Sequence, residues 1–141
     1  MAWALDSCIV LDIALRDPEF GLPSALLVDG LRRDGLVVCP VSIVEITPTF
    51  GGLVANVEEF LALLGADPYA AWTAADTASA ATGWARYVAQ KRAGAAGRRP
   101  IADILIGGFA CRFQGLVTRN PQHVLPFFPD LAIREPAPPL P

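Results

Sequence analysis

The stretch AWALDSCIVLD, residues 2–12, contains an acid in the middle of an otherwise apolar run. Its first part, 2–5, predicts a short buried strand that ends at Asp6, because a fully buried strand is a continuous apolar run. Residues 7–15 predict a helix, for which Asp6 or Ser7 would be the N-cap. A strand that passes directly into a helix is the building unit of α/β proteins.

The same alternation of strand and helix continues along the chain. Aliphatic segments predict three further strands, at 36–39, 116–118 and 131–134. Helices are predicted between them, one capped by Ser24, one opened by Pro40, one capped by Asn56, one over 73–93 and one from Pro100 to Gln114. The pattern predicts an α/β sandwich around a central, mostly parallel sheet of four or five short strands flanked by helices.

The composition is that of one ordinary globular domain. The 141 residues are 53% hydrophobic and 18% charged, and the net charge of -3 argues against a protein that coats nucleic acid by bulk charge. Cys8, Cys39 and Cys111 show no CxxC spacing and are expected to be reduced thiols of a cytoplasmic protein. The N-terminus does not have the pattern of a signal peptide, and no long uncharged apolar run is present, so no membrane association is expected.

Two further acids interrupt apolar runs as Asp6 does. They are Glu45 in PVSIVEIT and Asp103 in RRPIADILIGGFA. A lone buried carboxylate is costly unless it is paired or binds a metal, so each acid needs an explanation. In a parallel sheet, sites form at the carboxyl ends of the strands, where Asp6 and Thr118 are predicted. The first turn of a helix, where Asp103 is predicted, favours a negative charge.

If the three carboxylates converge, their mutual repulsion requires a cation to neutralise it. Oxygen-only ligands suit Mg²⁺ or Mn²⁺, which typically act on phosphates, so convergence predicts metal-assisted phosphoester chemistry. Each acid also has a purely structural explanation. Asp6 would then be a helix cap, Asp103 a partner of the helix dipole and Glu45 an exposed helical residue. Spacing along the chain does not decide between these alternatives.

Four motifs occur in the order and at about the intervals of one known family. They are ALDSCIVLD, VSIVEI, IADILIGGFACRFQ and LVTRNPQHV, and with them the chain resembles PIN-domain proteins, most closely the VapC-type ribonuclease toxins of bacterial toxin–antitoxin pairs. The resemblance implies a PIN-like three-layer sandwich over residues 1–135, followed by a proline-rich tail at 136–141. It also implies an acidic pocket that holds Mg²⁺ or Mn²⁺ and endonucleolytic cleavage of RNA by a metal-activated water.

The resemblance also implies roles for individual residues. The acids that would bind the metal and carry the catalysis are Asp6, Glu45 and Asp103. Thr118 and Asn120 would complete the catalytic set as the polar strand-end motif beside the pocket. Many relatives have a fourth acid in place of Asn120, so occupancy of a second metal site is in question. Ser7 would act at the substrate by orienting a metal-bound water or a carboxylate.

Basic side chains that would contact RNA phosphates gather just before the predicted helix of Asp103. They are Lys91, Arg92, Arg98 and Arg99. Arg98 and Arg99 are the predicted substrate contacts, and the alternative is that these cations serve a helix end and a solvated loop. Arg119 is a further predicted substrate contact, from its place in the TRN motif. Asp12, by contrast, is expected to be a solvated charge.

Two other features favour structural interpretations. Gly107-Gly108 lies inside a predicted helix and indicates close helix packing rather than a phosphate-binding loop. His123 is the only histidine, which gives little support to a Ser-His-Asp triad or a histidine-rich zinc site. It is predicted to be a surface residue or an RNA contact.

The expected partners follow from the resemblance. They are a cognate antitoxin protein, an RNA substrate and a second copy of the chain as a homodimer, and the mean hydropathy of +0.43 fits an exposed apolar groove. The main alternative is a PIN-like module that binds RNA or protein without cutting, because Asn120 weakens the metal site. A structure-selective DNA nuclease has less support, since no insertion is long enough to clamp a duplex junction.

Overall fold

The computed structural model describes residues 1–138, so the end of the predicted tail, 139–141, lies outside the described residues. The strands are β1 (Trp3–Leu5), β2 (Leu36–Val38), β3 (Ala66–Asp67), β4 (Gly115–Val117) and β5 (Ile133–Arg134). The α-helices are α1 (Ser7–Ala14), α2 (Gly21–Leu31), α3 (Pro40–Ile46), α4 (Val54–Leu64), α5 (Ala74–Arg92) and α6 (Ile101–Ala110). The predicted α/β class, with a sheet of four or five short strands flanked by helices, is confirmed.

All five strands run parallel, in the spatial order β3-β2-β1-β4-β5. Leu5 of the central strand lies opposite Val38 on one side and Val117 on the other. Asp6 and Thr118 are the next residues of their strands and therefore lie side by side at the carboxyl edge of the sheet. The chain leaves β1 for a neighbour on one side and returns later on the other, and ligand sites of open α/β sheets form at such a switch point.

Each face of the sheet has its own hydrophobic core. Leu5 and Val38 face a cluster to which α1, α2, α3 and α4 contribute. Ala4 and Leu116 face a second cluster that includes Phe109 of α6. All five side chains are fully buried, and their alternation follows from the two-residue period of a strand. Helices thus cover both faces, which is consistent with a PIN-like three-layer sandwich.

Two predicted helix caps are wrong. α2 begins at Gly21 instead of after Ser24, whose hydroxyl is buried inside the helix without a hydrogen-bond partner. α4 begins at Val54, so Asn56 lies in its first turn, where its side-chain amide donates to the Phe50 carbonyl over 3.1 Å. Neither helix has a side-chain N-cap, and the usual sequence signal for a helix start is therefore missing.

The end of α6, the start of β4 and the whole of β3 differ from the prediction. α6 ends at Ala110 rather than Gln114, and Gly115 is the first residue of β4 rather than a helix stop. A Cβ atom at Gly115 would lie 2.6 Å from the Trp3 ring and would collide with the Ala132 carbonyl, so only glycine fits there. β3 was missed altogether, because a two-residue strand carries no hydrophobic periodicity.

Close backbone contact joins α5 to α6. A Cβ atom on Gly108 would lie 2.8 Å from the backbone of Ala80, which agrees with the predicted packing role of Gly107-Gly108. The fully buried carboxylate of Asp76, at the start of α5, accepts hydrogen bonds from Arg112 just after α6, with an Nε–Oδ1 distance of 2.9 Å. Together these contacts fix the helix that carries Asp103.

The first residues of the proline-rich tail contact the domain. Pro136 is buried, and Ala137 and Pro138 border a cleft with Leu22 and Leu26 of α2. Within residues 1–138, none of the helices combines the length and the apolar character needed to cross a bilayer.

We expect Gly108→Ala to destabilise the protein by about 1–3 kcal/mol, because the added methyl group overpacks the α5–α6 contact. Gly30→Ala in α2 is the matched control, since a Cβ atom there meets nothing within 4 Å. That substitution should stabilise the protein by about 0.5–1 kcal/mol through helix propensity. Urea unfolding followed by circular dichroism measures both, and equal effects of the two substitutions would contradict the packing role.

Candidate active site

Asp6 is held at the carboxyl edge by a backbone N–H and a hydroxyl that donate to its two carboxylate oxygens. One carboxylate oxygen accepts the backbone N–H of Ser7 over 2.7 Å, so Asp6 rather than Ser7 caps α1. The other oxygen accepts the hydroxyl of Thr118, also over 2.7 Å, from the end of the adjacent strand β4. Thr118 is fully buried and in turn accepts the backbone N–H of Asn120 over 3.0 Å. These bonds join two neighbouring strand ends into one polar unit.

Glu45 is connected to this unit through Ser7. The Ser7 hydroxyl donates to a carboxylate oxygen of Glu45 over 2.7 Å. Glu45 lies on α3, which follows β2 after a single residue, and it is exposed to solvent. Ser7 therefore contacts Asp6 with its backbone and Glu45 with its side chain. The predicted acids at 6 and 45 lie on one surface of the fold.

Asp103 lies in the first turn of α6, with its side chain 20% exposed. Burial raises the pKa of Asp103; the guanidinium of Arg98 and the imidazole of His123 lower it, and the charges of Asp6 and Glu45 raise it further. The net pKa lies above the usual value for an aspartate. Burial is the largest of these effects and the charges of Asp6 and Glu45 are the smallest, so Asp103 lies near the other two acids, but in residues 1–138 the three do not group around one point.

Cys8 lies beside Asp6 and Thr118, a position that was not predicted from the sequence. Its sulfur lies 3.6 Å from Asp6 and 3.7 Å from the Thr118 hydroxyl. Burial and the negative charge of Asp6 raise the pKa of the Cys8 thiol to about 11. The thiol is therefore protonated at neutral pH and donates a weak hydrogen bond to Asp6. A protonated thiol is a poor nucleophile, which leaves the oxygen groups as the chemical features of this site.

The prediction that Asp12 is a solvated charge is wrong. Asp12 is 5% exposed and forms an ion pair with Arg119, with an Nε–Oδ2 distance of 2.6 Å. The Arg119 guanidinium also lies 4.9 Å from the centre of the Phe20 ring. Arg119 thus ties the loop after β4 to α1. Its predicted contact with substrate stays a prediction, and its observed contacts suit a residue that positions Thr118.

Arg98 and Arg99, the two predicted substrate contacts before α6, have different neighbours. Arg98 donates to Asp103 over 3.0 Å while its own side chain remains 70% exposed. Arg99 instead lies with its guanidinium 5.5 Å from the centre of the Trp84 ring. Arg98 is therefore the one of the two that reaches the acidic site.

The donor atoms at this edge suit a hard cation in their chemistry. They are carboxylate and hydroxyl oxygens, and the pKa of Asp103 is raised mainly by burial and slightly by the charges of Asp6 and Glu45. Their placement is looser than a finished metal site. Within residues 1–138 no three His, Cys, Asp or Glu side chains are close enough together to hold one ion. Binding by all three acids would require Glu45 to turn from Ser7 and Asp103 from Arg98.

No protein-family model, curated protein or solved structure significantly matches this chain. What the protein does must therefore be inferred from its own motifs and contacts.

We expect Asp103→Asn to stabilise the fold at pH 7. Because the pKa of Asp103 is raised in the folded state, ionisation of this carboxylate lowers the free energy of unfolding. This loss develops as pH rises through the carboxyl range and persists at neutral pH. The urea midpoint of the variant should exceed that of the wild type at pH 7, and the difference should shrink as pH falls below the usual aspartate pKa. Glu59→Gln on the exposed face of α4 is the control and should change little. A lower midpoint for Asp103→Asn at pH 7 would show that its pairing with Arg98 outweighs the repulsion.

Proposed function

We propose that this protein is a metal-dependent endoribonuclease that hydrolyses RNA phosphodiester bonds, and that it is the toxin component of a type II toxin–antitoxin pair. The observation that carries the nuclease proposal is the joining of separate strand ends at one edge. Thr118 donates to Asp6, Ser7 links Asp6 to Glu45, and the charge of Asp103 is coupled to both acids. The toxin assignment and the PIN family rest on the resemblance of the motifs.

Mg²⁺ or Mn²⁺ held by Asp6, Glu45 and Asp103 would act as a Lewis acid on a phosphate oxygen and make a water molecule more acidic. The residues of the chain position this chemistry. Thr118 and the Ser7 backbone fix both oxygens of Asp6, so its carboxylate keeps one orientation. The Ser7 hydroxyl restrains Glu45, which is otherwise free in solvent. The fixed carboxylate of Asp6 is a preorganised charge, and such charges supply much of the rate enhancement of an enzyme. Glu45 would leave Ser7 when the cation binds.

Arg98 has two partners in this proposal. Without substrate it pairs with Asp103, and the pair is mostly exposed on the arginine side. An exposed ion pair contributes at most about 1 kcal/mol, so Arg98 can exchange Asp103 for an RNA phosphate at little cost. That exchange would release a carboxylate for the cation at the moment when the substrate arrives.

The proposed partners are a cognate antitoxin, an RNA and a second copy of the chain. Exposed apolar side chains on α2 and at the start and end of α4 support an interaction with other proteins; they include Leu22, Leu26, Leu53, Val54 and Leu63. A cytoplasmic location belongs to the same proposal, because RNA and an antitoxin would meet the protein there. An adjacent small open reading frame that encodes a DNA-binding segment and a partner-binding tail would support the toxin assignment.

A module that binds RNA or protein without cutting is the second candidate. It is favoured by the loose arrangement of the acids within residues 1–138, where no three potential ligands are placed around one point. Asn120 in place of a fourth acid also favours the non-cutting module, since a neutral amide adds no charge to attract a cation. The two candidates differ in whether RNA is cut.

We expect the purified protein, freed of any antitoxin, to cut labelled single-stranded RNA with Mg²⁺ or Mn²⁺ and to be inactive in EDTA. Asp6→Asn and Asp103→Asn should each lower the cleavage rate by about 100-fold or more, because each removes a charge from the reacting centre. Asp130→Asn is the control, since this exposed acid precedes β5 at the opposite edge of the sheet.

Two results would contradict the nuclease proposal. One is cutting that persists in EDTA or in both folded active-site variants, which would point to a contaminant or to another site. The other is RNA binding without cutting under any metal condition, with equal affinity for the wild type and the variants. The second result would favour the non-cutting module.

A further inference from the structure

A cleft of about 250 Å³ opens directly beside Asp103. It lies between the end of α5, the loop at 93–100 and the loop that follows β4. Its walls combine aromatic, amide and cationic groups from Tyr87, Gln90, Lys91, Arg98, Gln122 and His123. Typical small-molecule pockets measure roughly 300–1,000 Å³, so this cleft suits one small planar group better than a whole cofactor. We call it the Tyr87 cleft.

The aromatic wall of the cleft is held in place from behind. The Tyr87 ring packs against Trp84, with 4.9 Å between the ring centres, and meets Phe127 edge-on at 5.9 Å. Phe127 is buried, whereas Tyr87 is half-buried and reaches the cleft. A ring that is fixed in this way offers a platform on which an unstacked base can lie at little entropic cost.

Amide groups supply hydrogen bonds along the same wall. The Gln90 side chain donates to the Pro126 carbonyl over 2.8 Å, which fixes the amide and leaves its own oxygen as an acceptor. Gln122, in the loop after β4, is exposed and also lines the cleft. Base edges present both donors and acceptors, and single-stranded RNA is recognised by stacking combined with such contacts.

Lys91 and His123 lie where the cleft meets the acidic site. Lys91 is exposed at the end of α5, and His123 is half-buried in the loop after β4. Asp103 itself lines the cleft together with His123, so the cleft and this acid belong to one continuous surface. A nucleic-acid backbone that leaves the cleft would therefore pass Lys91 and His123 and then reach Asp103.

We propose that the Tyr87 cleft binds the nucleotide next to the cleaved phosphodiester of a single-stranded RNA, with its base on Tyr87 and its phosphate between Lys91 and His123. The inference rests on the proposed nuclease function, because the cleaved bond is placed at Asp103. An acidic peptide would also meet the cations. RNA is favoured because a fixed aromatic ring beside two amides is suited to a planar base.

The test measures RNA binding in EDTA, so that cutting does not contribute. Fluorescence anisotropy of a labelled single-stranded octanucleotide gives the dissociation constant at several salt concentrations. Tyr87→Leu should weaken binding about tenfold, while Tyr87→Phe should bind as the wild type does, because only the first loses the stacking ring. Lys91→Gln should lower the slope of log affinity against log salt by about 0.7, which is the share of one phosphate contact.

Arg33→Gln is the charge-matched control for Lys91→Gln. Arg33 is exposed in the 3-10 turn Arg32–Asp34, just before β2, and thus lies at the edge of the sheet opposite the cleft. Its substitution should leave the affinity and the salt slope unchanged. Lys91→Gln alters only an exposed side chain and keeps the test valid if Tyr87→Leu fails to fold.

Several outcomes would overturn the assignment of the cleft. They are wild-type affinity in both Tyr87→Leu and Lys91→Gln, an equal loss in Arg33→Gln, no RNA binding at all, and displacement of RNA by poly-glutamate at the same charge concentration. If the wild type cuts RNA while the cleft variants bind normally, the cleft proposal falls and the nuclease proposal stands. If binding depends on Tyr87 but no metal supports cutting, the nuclease proposal falls and the cleft remains an RNA site.

Discussion

The hydrogen bond from Thr118 to Asp6 is the contact on which the site depends. It joins the ends of β4 and β1, two strands that are far apart in sequence but adjacent in the sheet. The parallel register puts both residues one step beyond a matched pair, Leu5 and Val117, so the bond follows from the pairing of the buried strands. Fold and site therefore share one determinant, the alignment of β1 and β4.

Three arginine–aspartate pairs show how the chain treats buried acids. Arg112 neutralises Asp76, whose side chain is 0% exposed; burial alone would raise the pKa of Asp76, but hydrogen bonds from Arg112 and Thr73 lower it overall. Arg119 pairs with Asp12, which is also buried. These two pairs lock helices to their neighbours and leave the acids with little contact to solvent.

The pair of Arg98 and Asp103 is different. Arg98 is 70% exposed, and the pKa of Asp103 stays raised despite it, because burial and the two other carboxylates outweigh the cation. The fold pairs Asp76 and Asp12 with arginines that neutralise them, whereas the charge of Arg98 does not offset the effects that raise the pKa of Asp103. Perturbed acids in a cleft are a mark of functional sites, and this contrast within one chain supports the proposal that Asp103 takes part in the chemistry.

Much of this arrangement could be predicted from the sequence, and the reason is local. An acid that interrupts an apolar run can be recognised in the sequence without any knowledge of the fold. The same is true of a strand that passes directly into a helix. Asp6, Glu45 and Asp103 were predicted as site residues in this way, and their joint role stays a prediction. The pairing of Arg119 with Asp12 could not be predicted, because it joins residues 107 positions apart whose proximity depends on the strand order. The cap-less starts of α2 and α4 and the two-residue β3 left no pattern to detect.

The central claim is that Asp6, Glu45 and Asp103 form one cation-binding site at the carboxyl edge of the sheet. The most direct measurement adds sub-stoichiometric Mn²⁺ to the isotopically labelled protein and follows paramagnetic broadening of its amide NMR signals. The account predicts that the signals of Ser7, Glu45, Asp103 and Asn120 broaden first and together, and that Asp6→Asn weakens the effect. Broadening that begins at other acids, such as Glu58 and Asp67, or that is absent at all three edge acids, would contradict it.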